Sequence, residues 1–195
     1  MRTLRPLLAR TQLAEAPLRC AFDAARDGWS ADAFHAGVNA YGACVLVGRT
    51  EGGAVFGGYN PRGYIGIGED RDSAAAFLFS WPDGKTAAAR PMKLQKVGGP
   101  GLAVRDDAAQ GVRFGAEGLR LLQPRRERRA HSRLGTYYAR MPGGGRSLFA
   151  PGEEGKDGAA VVELRAWVAK GGPEKWMLAP SAIVWRSERG SDEES

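Results

Sequence analysis

Residues that could carry out chemistry are few in this sequence and widely spaced. The only cysteines are Cys20 and Cys44, and the only histidines are His35 and His131. Two histidines are too few for most metal sites without cysteine ligands, so we expect no metal site. Two cysteines could form one disulfide, but no secretory signal precedes them. We therefore expect two reduced thiols in an intracellular protein.

A thiol-dependent antioxidant enzyme is one hypothesis that these residues leave open. Cys44 lies inside an apolar run, where burial would raise its pKa and make it inert. Cys20 could react with peroxide only if it is exposed. Ser147 follows three glycines but lacks the G-x-S-x-G pattern of a nucleophile elbow. The sequence therefore favours a protein with no catalytic residues, no cofactor and no small-molecule substrate.

The segment 60–73 is rich in glycine and charge. Its glycines do not have the spacing of a phosphate loop, and no Lys-Ser or Lys-Thr pair follows them. The acidic residues Glu69, Asp70 and Asp72 lack the pattern of a calcium loop, so we interpret them as solubilising charge. Asp106 and Asp107 receive the same interpretation. We expect this segment to be a flexible loop that can meet a partner.

The formal net charge is +6, and much of the excess lies in residues 125–133. Such a balance permits attraction to nucleic acid, an anionic membrane or an acidic protein surface. A reader of nucleic acid usually interleaves basic residues with exposed aromatic ones, and this run lacks them. We therefore expect a solvated loop or short helix, with nucleic-acid or membrane binding as the alternative hypothesis.

The chain length predicts one compact domain that must position these residues. It has 195 residues, of which 28 are glycine and 11 are proline, a composition that favours many short strands. No apolar run approaches the roughly 20 residues that cross a bilayer, so we expect a soluble protein. We place a short helix or docking arm, broken by Pro6, in residues 1–17. One domain follows in 18–186, and a disordered polar tail in 187–195.

The pattern of apolar and turn-forming residues predicts one clear helix and a series of strands. Ser30 is a good N-cap, Asp32 lies in the first turn, and Trp29 and Phe34 can form a hydrophobic staple around a helix that ends near Gly37. The predicted strands are residues 18–25, 43–48, 54–59, 75–81, 102–104, 111–115, 119–122, 161–169, 176–178 and 183–185.

The run 161–169 alternates cleanly between apolar and other residues. It predicts Val162, Leu164, Ala166 and Val168 on one face of a strand, with Trp167 and its charged neighbours on the other. Seven or more short strands without β-α alternation favour a mainly β protein with a few helices. We expect a two-sheet antiparallel β-sandwich flanked by short helices.

Several of these segments together resemble a TLDc domain. The resemblance covers roughly residues 18–170 and rests on short motifs in the same order: FGGY at 56–59, AFLFS at 76–80, G-x-x-FG at 111–115, Leu134-Gly135 with Tyr137-Tyr138, and the strand 161–169. The chain departs from the family pattern where Phe114-Gly115 is followed by a segment that lacks the family's aspartate.

The resemblance implies a β-sandwich without an established catalytic centre. It also implies a role in protection against oxidative stress, and binding to soluble-sector subunits of the vacuolar-type proton ATPase. The motif residues that it assigns mainly to structure are Phe56, Gly57, Gly58, Tyr59, Phe77, Phe79, Phe114, Gly115, Gly135 and Glu163. We expect a monomer in the cytoplasm, with a chloroplast or mitochondrion as the alternative because the first residues are rich in arginine.

The residues that we expect to meet a protein partner lie in the two charged segments. Those in the glycine-rich segment are Arg62, Tyr64, Glu69 and Asp70. Those in the arginine-rich segment are Arg125, Arg126, Arg128 and Arg129.

Overall fold

The computed structural model describes residues 4–87 and 90–171, which form two antiparallel sheets with short helices. The helices are α1 (Arg5–Leu8), α2 (Ala24–Asp27) and α3 (Ala31–Val38), and a 3-10 turn covers Pro142–Gly144. The strands are β1 (Leu18–Asp23), β2 (Cys44–Thr50), β3 (Val55–Asn60), β4 (Glu69–Arg71), β5 (Phe77–Trp81), β6 (Met92–Gln95), β7 (Val104–Asp107), β8 (Gly111–Phe114), β9 (Leu119–Leu121), β10 (Arg129–Ala130) and β11 (Ala159–Ala169).

The larger sheet has the order β1-β11-β2-β3-β5-β6, with β10 paired to β11, and the smaller has the order β4-β7-β8-β9. Apolar side chains of both sheets share one core, to which Leu46 and Phe56 contribute from the larger sheet and Val112 and Phe114 from the smaller. The predicted fold class, a mainly β sandwich of two antiparallel sheets with a few short helices, is confirmed.

The outer face of the larger sheet carries a second apolar cluster. Phe77 and Phe79 of β5 point to this face, while Leu78 between them points to the inter-sheet core. Strand β5 is therefore buried on both faces, as its continuous apolar sequence suggests. The residues that cover it come from the N-terminal arm, namely Leu4, Leu7, Leu8 and Leu13.

Arg5 links helix α1 to the later residues of the N-terminal arm. Its guanidinium group donates hydrogen bonds to the carbonyls of Leu13, Ala14 and Ala16 at 2.8–3.0 Å. The prediction that Pro6 breaks the helix is wrong. Pro6 lies in the first turn of α1, where an amide N–H has no intrahelical partner.

Helix α3 begins as predicted. The Ser30 hydroxyl accepts a hydrogen bond from the Ala33 amide at 3.1 Å, and Asp32 lies in the first turn. Phe34 is fully buried, and Trp29 packs against the same core. The helix ends at Val38, one residue beyond the expected end.

The predicted alternation of β11 is wrong at Val162. A bulge between Val161 and Glu163 shifts the register, so Val161 faces the core and Val162 is 45% exposed. From Leu164 onward the alternation holds, with Trp167 on the outer face. The predicted strands 176–178 and 183–185 and the polar tail 187–195 lie outside the described residues.

Candidate interaction surface

The residues of the FGGY motif in β3 pack alternately on the two faces of the larger sheet. Phe56 packs in the inter-sheet core, and Tyr59 stacks on Phe77 in the outer cluster with ring centroids 5.1 Å apart. A Cβ on Gly58 would lie 2.6 Å from the ring of Phe114, which reaches across from the smaller sheet. Gly58 thus leaves the space that the Phe114 ring occupies.

Gly57 makes the corresponding space on the outer face. A Cβ on Gly57 would clash with the Leu46 carbonyl oxygen of the neighbouring strand and would lie 2.5 Å from the Phe79 ring. Both glycines of the motif are therefore needed for packing. These contacts support a structural role for the FGGY residues and for Phe77, Phe79 and Phe114.

The remaining motif residues also make structural contacts. Gly115 has φ +64° and lies directly beneath Tyr137, and Gly135 has φ +104°. Both conformations are ones that glycine adopts readily. Glu163 accepts hydrogen bonds from the guanidinium groups of Arg49 on β2 and Arg165 on its own strand. This carboxylate therefore links the neighbouring strands β2 and β11 through their side chains.

The glycine-rich segment is pinned by Asp106. The carboxylate of Asp106 is fully buried and accepts hydrogen bonds from the amides of Ile65 at 2.8 Å and Gly66 at 2.9 Å. It also accepts one from Nε of Arg71 at 3.2 Å, and Nδ1 of His35 lies 3.8 Å away. The expectation that Asp106 is solubilising surface charge is wrong, because this carboxylate is the acceptor that orders the turn.

Two further features contradict a fully free segment 60–73. Tyr64 is only 1% exposed and packs edge-on against Phe34, so its side chain is not available to a partner. Residues 69–71 form strand β4, which pairs with β7. Burial of the aromatic ring is favoured over exposure here because α3 supplies an apolar surface for it.

The exposed residues of this segment form a mixed-charge patch. Arg62 is exposed, and its Nε donates to the Asp72 carbonyl at 3.3 Å. Asp70 pairs with Arg105 at 3.2 Å, and Glu69 is exposed beside it. Arg62, Glu69 and Asp70 thus remain candidates for partner contact, and the last two lie on β4, the edge strand of the smaller sheet.

The second candidate segment, residues 125–129, is named here the arginine loop. It follows β9 and ends at Arg129, the first residue of β10, and all four of its arginines are exposed. A tight turn, with Arg125 at φ +65° and the Arg126 amide donating to the Gln123 carbonyl at 2.9 Å, projects it from the domain. The structure therefore confirms a solvated loop.

Contacts at the base of the arginine loop orient part of it. The guanidinium carbon of Arg128 lies 5.1 Å from the centroid of the Trp29 ring, a cation–π distance. Arg129 donates to the Gly158 carbonyl at 3.5 Å, and Arg126 lies 3.5 Å from Asp157. Within residues 4–87 and 90–171 the Arg125 side chain has no ion-pair partner. The loop thus presents a concentrated positive charge on a partly ordered support.

A polar cleft lies beside the arginine loop. It is lined by Glu117, Arg120, His131, Ser132, Arg133 and Glu154. Burial, and then the nearby Arg120 charge, lower the pKa of His131 below its ordinary value. The Ser147 hydroxyl donates to Glu154 at 2.7 Å and Nδ1 of His131 lies 3.7 Å from the same carboxylate. Since a hydroxyl has one proton to donate, Ser147 donates it to Glu154 and not to His131, so the set lacks the Ser–His contact that activates a serine.

The environments of the two thiols oppose thiolate chemistry. Burial raises the pKa of Cys44 to about 12, and it also raises the pKa of the half-buried Cys20. Cys20 pairs in register with Trp167, and Cys44 pairs with Val168 on the other side of β11. One strand thus separates the two cysteines, at roughly 10 Å for two strand spacings, which is too far for a disulfide. Both thiols are free, as expected.

The described residues contain neither a metal-binding cluster of side chains nor a helix that could cross a membrane. Among residues 4–87 and 90–171, no group of three or more His, Cys, Asp or Glu side chains is placed to hold a metal ion. No helix in the same part of the chain has the length and hydropathy to cross a bilayer.

The fold and the packing of the motif residues define a β-sandwich built around an FGGY strand. The family model for the TLDc domain matches residues 1–121, so the chain belongs to the TLDc domain family. A search of curated proteins finds no match to this chain.

The extent of the family match differs from the resemblance seen in the sequence. It includes the N-terminal arm, which packs on the outer face of the larger sheet. It ends at Leu121, just before the arginine loop. Strand β11 also lies beyond it, although β11 pairs with both β1 and β2. The matched residues therefore depend on later residues to complete their sheet.

Proposed function

We propose that this protein is a non-enzymatic TLDc interaction domain that binds an acidic surface of a protein partner through its arginine loop. The proposed setting is protection against oxidative stress and regulation of the vacuolar-type proton ATPase, with a subunit of the soluble sector of that pump as the partner. Membership of the TLDc family supports this setting. The protein acts as a monomer in the cytoplasm, or in a chloroplast or mitochondrion.

The single observation that carries the proposal is the exposure of four arginines within five residues of the arginine loop. Arginine presents a planar fork of donors that matches a carboxylate, and it is less strongly hydrated than lysine. A cluster of such groups attracts a negatively charged surface over several ångströms and raises the rate of association. An acidic protein face is therefore the matching partner.

The support beneath the loop adds to this argument. Long side chains lose rotamer freedom when a partner fixes them, and this loss opposes binding. The ring of Trp29 holds the Arg128 guanidinium, and the Gly158 carbonyl holds that of Arg129. Two of the four arginines are thus partly ordered before a partner arrives, which lowers the entropy cost.

A protein partner fits the surface better than a single-stranded nucleic acid. Nucleic-acid grooves of that type combine basic residues with aromatic platforms on which bases stack. In the described part of the chain, Trp29 is the aromatic residue in contact with the arginine loop, and its ring faces Arg128. The mixed-charge patch of Arg62, Glu69 and Asp70 would provide a second protein contact.

The test is quantitative capture of partners from a cell extract by the full chain and by two variants. The loop variant replaces Arg125, Arg126, Arg128 and Arg129 with alanine. The control variant replaces four other exposed arginines and removes the same charge. These residues are Arg10, Arg26, Arg140 and Arg146.

We expect the wild type and the control variant to retain subunits of the proton pump and the loop variant to lose them. Equal recovery by all three chains would contradict the role of the arginine loop. Recovery of RNA or anionic lipid in place of protein, with a steep loss at higher salt, would favour the alternative of a basic-surface binder.

A further inference from the structure

A cleft of about 250 Å³ lies on the outer face of the larger sheet, beside the N-terminal arm. Its floor and walls include Val47, Val55, Trp81 and Trp167, and Leu4 of the arm closes one end. Trp81 is buried, whereas Val47, Val55 and Trp167 are only partly buried. The arm covers β5 and part of β3, so among the described residues the outer apolar cluster is only partly covered at these three positions.

The rim of this groove is charged and ordered. Glu163 accepts hydrogen bonds from Arg49 and Arg165, and Arg165 also donates to Asp23 at 2.7 Å. The arginines at the rim are held in place by these pairs. They can therefore line a groove entrance without closing over the apolar floor.

The chain that follows β11 starts close to the groove. Residue Trp167, which lines it, lies four residues before Gly171, the last residue described. Residues 172–195 follow and contain six large apolar side chains within ten residues. These are Trp176, Met177, Leu178, Ile183, Val184 and Trp185.

The length of this segment fits the groove. At about 3.3 Å per residue, the groove extends back along β11 from Gly171 by roughly 13 Å to Trp167 and about 26 Å to Glu163. Trp176 lies five residues beyond Gly171, a reach of about 17 Å, and Trp185 lies fourteen residues beyond it, a reach of roughly 46 Å. Both tryptophans can thus reach the groove after a reversal of the chain.

We infer that the C-terminal segment 172–195 of the same chain occupies this groove, with its two tryptophans packed against Trp167, Val47 and Val55. Apolar side chains at this density are unfavourable in water, and the groove offers them a partly exposed apolar surface along β11, the strand from which the segment continues. The segment carries five acidic and three basic residues, opposite in sign to the positive charge of the whole chain. The occupied groove would complete the outer layer of the sandwich.

The experiment places a photo-crosslinking amino acid, p-benzoylphenylalanine, at Arg49 on the rim of the groove in the full chain. A second variant carries it at Val55 on the wall, in case one position disturbs folding. The control carries it at Ile67, which is 42% exposed and belongs to the loop before β4. Mixing isotope-labelled and unlabelled chains distinguishes cross-links within one chain from those between two.

We expect cross-links from Arg49 and Val55 to residues 172–195 of the same chain, and none to that segment from Ile67. The Trp176→Ala, Trp185→Ala double variant should reduce their yield by about tenfold or more, because two buried aromatic side chains are lost. A matched Glu174→Ala, Glu188→Ala variant should leave the yield unchanged. Cross-links only between labelled and unlabelled chains, or only to residues 1–3 or 88–89, would overturn the inference.

Discussion

Removing the buried carboxylate of Asp106 should destabilise the protein more than any change in its surface charges. Asp106→Ala deletes a fully buried acceptor that serves the amides of Ile65 and Gly66 and the guanidinium of Arg71. Arg71 would then keep its charge in a partly buried position without a counter-charge. We expect the free energy of unfolding to fall by about 3–5 kcal/mol, as when one partner of a buried ion pair is removed.

The conservative variant Asp106→Asn should lower the free energy of unfolding by less than Asp106→Ala, and the exposed Asp70 provides the control. Asp106→Asn retains one oxygen acceptor but removes the charge opposite Arg71 and adds N–H donors near other donors. We expect a loss of about 2–3 kcal/mol for this variant. Asp70→Asn breaks a pair with Arg105 that is largely open to water, and it should cost about 0–1 kcal/mol.

Urea unfolding followed by tryptophan fluorescence measures these differences. Hydrogen exchange at the amides of Ile65 and Gly66 adds a local readout, since both should exchange faster in Asp106→Asn even below the unfolding transition. If the free energies of unfolding of Asp106→Ala and Asp70→Asn differ by less than about 1 kcal/mol, Asp106 does not order the turn. The same conclusion follows if the amides of Ile65 and Gly66 keep their protection from exchange.

Three further predictions follow from the packing and from the pKa shifts. Gly57→Ala should lower the free energy of unfolding by about 3 kcal/mol or more, because the Leu46 carbonyl of the neighbouring strand cannot move aside. The control is Gly101→Ala, which has no neighbour within 4 Å and should leave the free energy of unfolding nearly unchanged in the same urea titration. Cys44 should react with a thiol reagent at pH 8 only at the rate of unfolding, since burial raises its pKa to about 12, and rapid labelling of native Cys44 would contradict its burial. Because the pKa of His131 is lowered below 6.5 in the folded chain, the unfolded chain binds more protons below that pH, so stability should fall on acidification from about pH 6.5. His131→Gln should flatten that part of the pH dependence, and an unchanged slope would contradict the shift.

The sequence could predict the sandwich because its strands carry strong local signals. The turn at Gly52-Gly53 joins two strands that pair in register, with Leu46 opposite Gly58. The N-cap at Ser30 fixes the start of α3 through one local hydrogen bond. Such features depend on neighbouring residues, and a single sequence displays them.

The features that the sequence did not reveal depend on contacts between distant segments. Asp106 resembles a surface acid until the turn at Ile65 is folded against it, 41 residues away in the chain. Val162 continues an apolar alternation, and only its pairing with β2 shows the bulge that exposes it. The arm residue Leu8 gives no sign in the sequence that it will cover Phe79 and its neighbours.

The arginine loop shows the same limit for the candidate site. Its charge and exposure could be predicted from the sequence, because a run of arginines after a proline is rarely buried. The position of Trp29 beneath Arg128 could not, since the two residues are about a hundred positions apart. The structure therefore adds the support for the loop, and it removes Tyr64 from the candidate surface.

The most direct test of the proposed function is the affinity of the purified full chain for the isolated soluble sector of the vacuolar-type proton ATPase, measured at two salt concentrations. We predict saturable binding by the wild type that weakens at higher salt, as expected for charge-assisted association. We also predict binding by the variant of Arg10, Arg26, Arg140 and Arg146, and a large loss of affinity in the variant of the arginine loop. No binding by the wild type, or equal affinity of the loop variant, would contradict the proposed function.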